Sequence, residues 1–266
     1  MSSPAELRSL AREIAVAAAR FVAEQRRHPV TVAATKSSPV DVVTQVDRDT
    51  EHLIRSLITS TRPDDAILGE EEAASTGTTG VRWIVDPIDG TVNFLYGLPQ
   101  YAVSIAVEVD GVVVAGIVAN AATGSVYSAG LGAGADRDGT PLAVRGPAPL
   151  AERLVLTGFN YEAETREIQA RAAARLIPQV RDLRRLGSCA LDLCHVAEGS
   201  ADGYVEEGVS LWDYAAGALI AAEAGARVEV GTGRGGKTAV VCAPGHGFDA
   251  FHELVSECGF LAQIGE

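Results

Sequence analysis

The segment from Trp83 to Thr91 constrains the fold most, because an apolar run typical of a strand leads into two carboxylates that flank a proline. In a straight strand, side chains alternate between faces, so Asp86 and Asp89 would point to opposite sides of a sheet. Pro87 cannot donate a ladder hydrogen bond, and it biases the preceding residue toward an extended conformation. We therefore predict that the strand ends at Pro87 and that the chain curls, so that both carboxylates and the Ile88 carbonyl converge.

Converging carboxylate and carbonyl oxygens are the ligands that hard cations such as Mg²⁺ prefer. The same residue types also favour an ordinary turn, since Asp, Pro and Gly each have their own backbone reasons to occupy one. For this segment alone the turn is the better explanation. Other segments of the chain must decide between them.

Composition limits the classes of function. The chain has 266 residues, 47% of them hydrophobic, which is enough for a substantial core in one large domain. The net charge of −13 argues against general nucleic-acid binding, although a cation held by acidic groups can still attract a phosphate. The sequence has no signal-peptide pattern and no apolar run long enough to span a bilayer, and its four cysteines lack zinc-site spacing. We expect a cytoplasmic protein with buried thiols and no membrane contact.

The hydrophobic pattern indicates mixed α/β structure. A capped amphipathic helix is expected to begin at Ser3-Pro4, and a second one from about residue 44 to 58. Antiparallel strands are expected over 83–85, 102–109, 112–118 and 125–128, followed by alternation of strands and helices from residue 154. We predict a single domain, 1–266, with an N-terminal α+β half, 1–147, and a C-terminal α/β half, 148–266.

A glycine-rich segment, 231–238, satisfies the nucleotide-binding pattern G-x-x-x-x-G-K-[ST]. That pattern requires a helix to follow, because the helix N-terminus helps to bind the phosphate. Here residues 238–244 have the composition of a strand that ends in proline. We therefore interpret the segment as a hairpin turn.

Three other segments place acidic residues where the first motif requires them. Glu70 follows an apolar stretch, Asp47 lies near the start of the second helix, and Asp213 lies near the start of a helix of small residues expected to run through Ala226. Each alone has an ordinary explanation, as part of a solvated charge run, a first-turn residue or an N-cap. Their joint occurrence, in this order, favours one site.

Together these segments resemble the inositol monophosphatase family over nearly the whole chain, from residues 36–39 to the C-terminal strands. Residues 83–94 resemble its metal-binding signature and residues 212–226 its second signature. The resemblance implies a layered αβαβα sandwich, a homodimer, inhibition by Li⁺ and two or three Mg²⁺ ions per site. It implies hydrolysis of a small-molecule phosphate monoester by metal-activated water.

Carried over to this chain, the resemblance assigns roles to individual residues. The implied metal ligands are Glu70, Asp86, the Ile88 carbonyl, Asp89 and Asp213. The implied catalytic residues, which orient the attacking water, are Glu70, Thr91 and Asp47. The implied substrate contacts are Asp89, Gly90, Thr91, Gly187, Ser188, Cys189, Glu206 and Asp213. Lys36 and Glu71 are expected in loops near the site.

The expected substrate is inositol 1-phosphate or a similar polyol phosphate, because Glu206 can accept hydrogen bonds from hydroxyl groups. Relatives that act on histidinol phosphate, fructose 1,6-bisphosphate or adenosine 3′,5′-bisphosphate use the same metal core, so these substrates stay open. Arg184 and Arg185 can serve a second phosphate or a surface salt bridge. A noncatalytic protein-binding factor on the same fold is the alternative from a different class.

Overall fold

The computed structural model describes residues 3–35 and 42–262, with the backbone alone for Thr35 and Val42. The helices are α1 (Pro4–Gln25), α2 (Gln45–Thr61), α3 (Thr91–Tyr96), α4 (Ala163–Leu176), α5 (Cys189–Ala197), α6 (Leu211–Glu223) and α7 (Phe248–Cys258). The strands are β1 (Val32–Thr35), β2 (Val42–Thr44), β3 (Ala66–Gly69), β4 (Val81–Asp89), β5 (Ala102–Val109), β6 (Val112–Asn120), β7 (Val126–Gly130), β8 (Ala135–Arg137), β9 (Thr140–Pro141), β10 (Leu154–Thr157), β11 (Asp182–Arg184), β12 (Gly203–Glu207), β13 (Ala226–Thr232) and β14 (Thr238–Pro244).

Two large sheets organise the strands. The first has the order β3-β4-β5-β6-β7-β8-β9 and is antiparallel except for the β3–β4 pair. The second has the order β11-β10-β12-β14-β13, with parallel pairs at β10 and antiparallel pairs at β14. The predicted antiparallel run is confirmed, with strands longer than expected at both ends of β4.

Three apolar cores hold the sheets and helices in five layers. Helices α1 and α2 pack on one face of the first sheet, through residues such as Leu7, Ile54 and Trp83. Helices α5 and α6 fill the space between the two sheets. Helices α4 and α7 cover the outer face of the second sheet. The predicted αβαβα sandwich is confirmed, whereas the division into halves 1–147 and 148–266 stays a prediction.

The two N-terminal helices begin where capping chemistry places them. The Ser3 hydroxyl accepts the backbone N–H of Glu6, whose carboxylate accepts the N–H of Ser3 in return, and Pro4 occupies the first helical position. Thr44 and Asp47 form the same reciprocal arrangement at the start of α2. This fixes the backbone around Asp47, one of the predicted site residues.

Strand β4 does not end at Pro87, so that prediction is wrong. The strand continues to Asp89, and its pairing with β5 changes register on the way: Asp86 lies opposite Ser104, and Asp89 opposite Ala102. Three steps along β4 thus match two steps along β5, which is the geometry of a β-bulge. The extra residue restores the alternation, so Asp86 and Asp89 lie on the same side of the sheet.

The glycine-rich segment forms the turn between β13 and β14, as predicted. The turn curls around the buried carboxylate of Glu207, which accepts the backbone N–H of Lys237 at 3.0 Å. A Cβ atom at Gly233 would lie 2.1 Å from this carboxyl group, and one at Gly235 would lie 2.9 Å from it. The glycines therefore make room for an internal carboxylate in a motif that resembles a phosphate loop.

Helix α6 begins near Asp213, as expected, but ends earlier than predicted. Ser210 caps it, and Asp213 completes the capping box from the third helical position. The helix ends at Glu223, before Ala226, because Gly225 adopts a positive φ of 100° and Ala226 starts β13.

Two other expectations, drawn from composition, concern the cysteines and membrane-spanning segments. All four cysteines are free and buried, as predicted. In the described part of the chain, none of the helices combines the length and the apolar character needed to cross a membrane.

Candidate active site

A cavity of about 270 Å³ opens between the end of β4, the start of α5 and the start of α6. Most residues predicted for the site line it: Glu70, Asp86, Ile88, Asp89, Gly90, Thr91, Gly187, Cys189, Glu206 and Asp213. The cavity therefore collects side chains from segments that are far apart in the sequence.

Asp86 lies at the bulge of β4, with 2% of its surface exposed. One of its oxygens accepts the backbone N–H of Ile88 at 2.9 Å, which stabilises the local turn. Burial raises the pKa of Asp86 well above its ordinary value, and repulsion from neighbouring carboxylates, above all that of Glu70, raises it further. The carboxyl groups are thus held together against their own repulsion.

Asp89 is anchored by the start of α5. Its Oδ2 atom accepts the hydroxyl of Ser188 and the backbone N–H of Ala190, both at 2.6 Å. The backbone N–H of Cys189 also donates to this carboxylate, which lines the cavity. Burial raises the pKa of Asp89 to about 7, although the hydrogen bond from Ser188 opposes the shift. Ser188 thus acts on the site through Asp89.

Asp213 approaches from the start of α6. Its Oδ2 atom accepts the backbone N–H of Ser210 at 2.6 Å, so the capping box that begins the helix also orients the carboxylate. The backbone carbonyl of Trp212 accepts the hydroxyl of Ser104 on β5, which ties this turn to the first sheet. Burial raises the pKa of Asp213 well above its ordinary value, and repulsion from Glu70 contributes.

Asp47 and Thr91 form a hydrogen-bonded pair at the edge of the cavity. The Thr91 hydroxyl lies 3.0 Å from Asp47 Oδ1 and 3.0 Å from the Ile88 carbonyl oxygen. Asp47 is 1% exposed, and its other oxygen accepts the backbone N–H of Thr44. Burial raises the pKa of Asp47, although its hydrogen bonds with Thr44 oppose the shift. The pair joins helix α2 to the turn that follows β4.

The opposite side of the cavity carries polar groups suited to an alcohol. Glu206 accepts the hydroxyl of Tyr204 at 3.0 Å, and burial raises the pKa of Glu206. Its carboxyl group lies so close to Gly158 that a Cβ atom there would be 1.9 Å away. Arg185 lines the same cavity, whereas Arg184 forms a surface ion pair with Asp182. The two arginines therefore differ in what they can contact.

Several predicted residues lie outside the cavity wall. Asp47 and Ser188 stand behind it and act through Thr91 and Asp89. The backbone N–H of Glu71 donates to a buried carboxylate on α2. Lys36, and the segment 36–39 that begins the family resemblance, lie outside the described residues.

Sequence reasoning missed several residues that shape the site, among them Phe159, Asn160 and Tyr161 on the cavity wall. Two more, Asn93 and Glu51, lie behind the wall. The Asn93 side chain donates to the backbone carbonyls of Gln100 and Leu186, both at 2.8 Å, and so joins α3 to the segment that carries Gly187. Glu51 lies on the buried face of α2. The sequence contained a signal for Glu51, because this charged residue falls between Asp47 and Ile54 at helical spacing, on the face of the helix expected to be apolar.

The donor set is that of a hard-cation site, because carboxylates and one backbone carbonyl supply only oxygen atoms. In the described part of the chain, no group of three or more Asp, Glu, His or Cys side chains is already arranged to hold one ion. The electrostatics nevertheless fit a divalent cation. Burial and, after it, repulsion from neighbouring carboxylates raise the pKa values of Asp86 and Asp213, and bound positive charge would offset that repulsion.

We expect the metal-free protein to lose stability as the pH rises from about 5 to 7.5. The pKa of Asp89 is raised from 3.8 to about 7 in the folded state, so that state binds more protons than the unfolded state within this window. The free energy of unfolding must then fall as the pH rises through it. Urea unfolding midpoints, measured in a chelator at several pH values, test this expectation.

The variant Asp89→Asn provides the control for this pH dependence, since it removes the titrating group but keeps the shape. Its midpoint should fall less steeply over the same range. Glu198 does not interfere, because its pKa is lowered from 4.5 to about 2, below the pH range of the experiment. A wild-type midpoint that rises with pH would contradict the prediction.

Comparison with known proteins agrees with this geometry. Residues 3–258 match the model of the inositol monophosphatase family. Inositol-1-monophosphatase SuhB of Mycobacterium tuberculosis is 48% identical over 265 residues, which cover 92% of this chain and 91% of that protein. Nus factor SuhB of Pasteurella multocida is 41% identical over 197 residues, which cover 73% of each chain.

The solved structure of Mycobacterium tuberculosis SuhB superimposes with a TM-score of 0.85 at 45% identity and covers 98% of this chain and 100% of its own. The family match spans the bulged strand β4, the turn after it and the start of α6, which carry Asp86, Asp89 and Asp213 of the cavity. The chain therefore belongs to the inositol monophosphatase family and is a phosphoric monoester hydrolase of the inositol-1-monophosphatase type.

Proposed function

We propose that this protein is a Mg²⁺-dependent phosphomonoesterase that releases inorganic phosphate from inositol 1-phosphate or a similar polyol phosphate. The observation that carries the proposal is the convergence of Glu70, Asp86, Asp89 and Asp213 on one cavity beside the Gly90–Thr91 turn. Water attacks the phosphorus and the alcohol leaves, without a covalent enzyme intermediate. The names and family of its relatives support this reaction class.

We assign two or three Mg²⁺ ions to Glu70, Asp86, the Ile88 carbonyl, Asp89 and Asp213. Bound Mg²⁺ supplies Lewis-acid activation of water and of the phosphoryl oxygens. The carboxylates of the chain supply negative charge. The hydrogen bonds that Asp89 and Asp213 accept keep these side chains from rotating away from the cavity. Backbone N–H groups of Gly90 and Thr91 offer further donors to the phosphate.

Thr91 and Asp47 orient the attacking water and take up its proton. The Thr91 hydroxyl is held 3.0 Å from Asp47 Oδ1, so one lone pair on its oxygen stays available to a water in the cavity. Burial raises the pKa of Asp47, which makes its carboxylate a better proton acceptor than an exposed aspartate. Glu70, on the cavity wall, orients the same water.

The alcohol occupies the side of the cavity formed by Gly187, Cys189 and Glu206. Glu206 accepts hydrogen bonds from substrate hydroxyl groups, and Asp213 lies beside the leaving oxygen. Arg185 lines the same cavity and can meet a second anionic group, which keeps bisphosphate substrates among the alternatives. Ser188 supports this side indirectly, by holding Asp89.

Phosphate release from a panel of substrates tests the proposal. The panel contains inositol 1-phosphate, histidinol phosphate, fructose 1,6-bisphosphate and adenosine 3′,5′-bisphosphate, each with Mg²⁺ and with a chelator. We expect Mg²⁺-dependent turnover with a preference for inositol 1-phosphate. A preference for another member would reassign the substrate and keep the metal chemistry. No Mg²⁺-dependent turnover on any member would refute the proposal.

The family resemblance also suggests a homodimer, inhibition by Li⁺ and small phosphate monoesters as substrates. The composition and acidic charge of the chain favour a cytoplasmic location with neither nucleic acid nor a membrane as partner. Light scattering after gel filtration tests the dimer, and a Li⁺ titration of turnover tests the inhibition. Two relatives are named Nus factors, so a protein-binding role is the second candidate. Absence of turnover on the panel would favour it.

A further inference from the structure

Glu51 is a fully buried carboxylate on α2, at 0% exposure. Its Oε2 atom accepts the backbone N–H of Glu71 at 2.7 Å, and its Oε1 atom accepts the backbone N–H of Glu72 at 3.1 Å. Arg55, one helical turn later, donates its Nε–H to Oε1 at 2.8 Å. Each oxygen of this carboxylate therefore accepts at least one hydrogen bond.

Glu51 and Arg55 together bind both the backbone N–H groups and a backbone carbonyl of the turn after β3. Glu51 accepts the N–H groups of Glu71 and Glu72, while Arg55 donates to the backbone carbonyl of Glu72 at 3.2 Å. A buried carboxylate is unfavourable unless it is paired and hydrogen-bonded, and Arg55 supplies the opposite charge. An apolar side chain at this position would leave two amide groups unpaired.

The residue at the end of β3 is adapted to the same carboxylate. A Cβ atom at Gly69 would lie 2.1 Å from Glu51 Oε1, closer than two such atoms can approach. Because Gly69 has no side chain, the Glu51 carboxylate can pack directly against the backbone at the start of the turn. Glu70 lies between Gly69 and Glu71, so both of its neighbours in the chain contact Glu51. Its own side chain lines the active-site cavity.

Helix α2 holds a second part of the site with the same face. Asp47 lies four residues before Glu51, which places the two side chains one above the other on the helix. Asp47 contacts the Thr91 hydroxyl, and Glu51 contacts the turn that carries Glu70. The spacing of two carboxylates on one rigid helix thus sets the position of Glu70 relative to Thr91.

We propose that Glu51, paired with Arg55, is a positioning residue that fixes Glu70 for Mg²⁺ binding. The inference rests on the proposed function, because it assigns Glu70 as a metal ligand. It adds a residue that touches neither metal nor substrate. Groups that orient metal ligands in this way are typically worth about 10- to 100-fold in metal affinity or activity.

The variant Glu51→Gln tests the proposal, because it keeps the size of the side chain and removes one acceptor oxygen and the charge. In the metal-free protein, hydrogen–deuterium exchange of the Glu71 and Glu72 amides should accelerate about tenfold, while the core strands stay protected. Titration calorimetry with Mg²⁺ should give a dissociation constant about tenfold higher. At saturating Mg²⁺, KM for substrate should stay at the wild-type value.

Two further variants complete the experiment. Asp49→Asn removes an exposed carboxylate from the same helix and should leave exchange and Mg²⁺ affinity unchanged. If Glu51→Gln does not fold, Arg55→Gln weakens the same anchor through the carbonyl of Glu72 and should show the same local changes.

Wild-type Mg²⁺ affinity in the folded variants would overturn the inference, and so would exchange that accelerates evenly over the whole chain. Exchange and Mg²⁺ binding are measured without turnover. If wild-type protein binds Mg²⁺ but hydrolyses no phosphate ester, the proposed function fails and the positioning role of Glu51 stands.

Discussion

Asp89→Asn is expected to remove Mg²⁺-dependent phosphate release while the protein stays folded. Asp89 Oδ2 accepts the Ser188 hydroxyl and the Ala190 N–H, so the amide oxygen of the new side chain should take these donors. Its NH₂ group would then face the cavity, where a nitrogen donor cannot ligate a cation. We expect kcat/KM to fall at least about 100-fold, because even groups that only orient metal ligands contribute 10- to 100-fold.

Steady-state kinetics at saturating Mg²⁺ measures this effect, and thermal unfolding separates it from misfolding. Burial raises the pKa of Asp89 to about 7, so a neutral amide should stabilise the metal-free protein at pH 8. The matched control is Asp249→Asn, since the side chain of Asp249 is 92% exposed and lies away from the cavity. Activity of Asp89→Asn near that of wild type would show that the site is assigned wrongly.

Asp47→Asn is expected to lower kcat and leave Mg²⁺ affinity unchanged. The amide oxygen can still accept the N–H of Thr44 and preserve the start of α2, but the NH₂ group must then donate to the Thr91 hydroxyl. The side chain can no longer take a proton. We expect kcat to fall about 100- to 10,000-fold, the range that a positioned proton-transfer group typically contributes.

Turnover at saturating substrate and calorimetric Mg²⁺ titration together test this expectation. A weaker Mg²⁺ affinity with wild-type kcat at saturating metal would contradict it, because Asp47 would then act on the ion and not on the proton. The variant Asp49→Asn, two residues further along the same helix, controls for charge loss on α2. Circular dichroism of Asp47→Asn should show intact helices, since the cap is retained.

Local chemistry in the sequence predicted the starts of α1 and α2 and the main antiparallel strands β4 to β7 correctly. Ser3, Pro4 and Thr44 start their helices at the expected places, because capping depends on residues within one turn of each other. The interpretation of the glycine-rich segment as a hairpin was also correct, since proline and strand composition follow it. The αβαβα arrangement came from the resemblance, which reflects the whole chain.

The largest error concerned the path of β4. Proline suggested a strand end, because it lacks the N–H needed for a ladder. The strand instead accommodates Pro87 within a bulge, where pairing to β5 is interrupted between Asp86 and Asp89. A bulge is a property of two strands, and residues 83–91 alone contain no information about the register of residues 102–104.

The sequence by itself determined the types of donor and the local turns that present them: Asp86, Asp89 and Asp213 in short segments with strong backbone preferences. Tertiary structure decided which groups meet. Ser188 reaches Asp89 across 99 positions of the chain, and Glu51 reaches the amide of Glu71 across 20. These contacts depend on how the two sheets and their helices pack. The sequence shows that a charged residue lies on an apolar helix face, but only the packing determines which group it contacts.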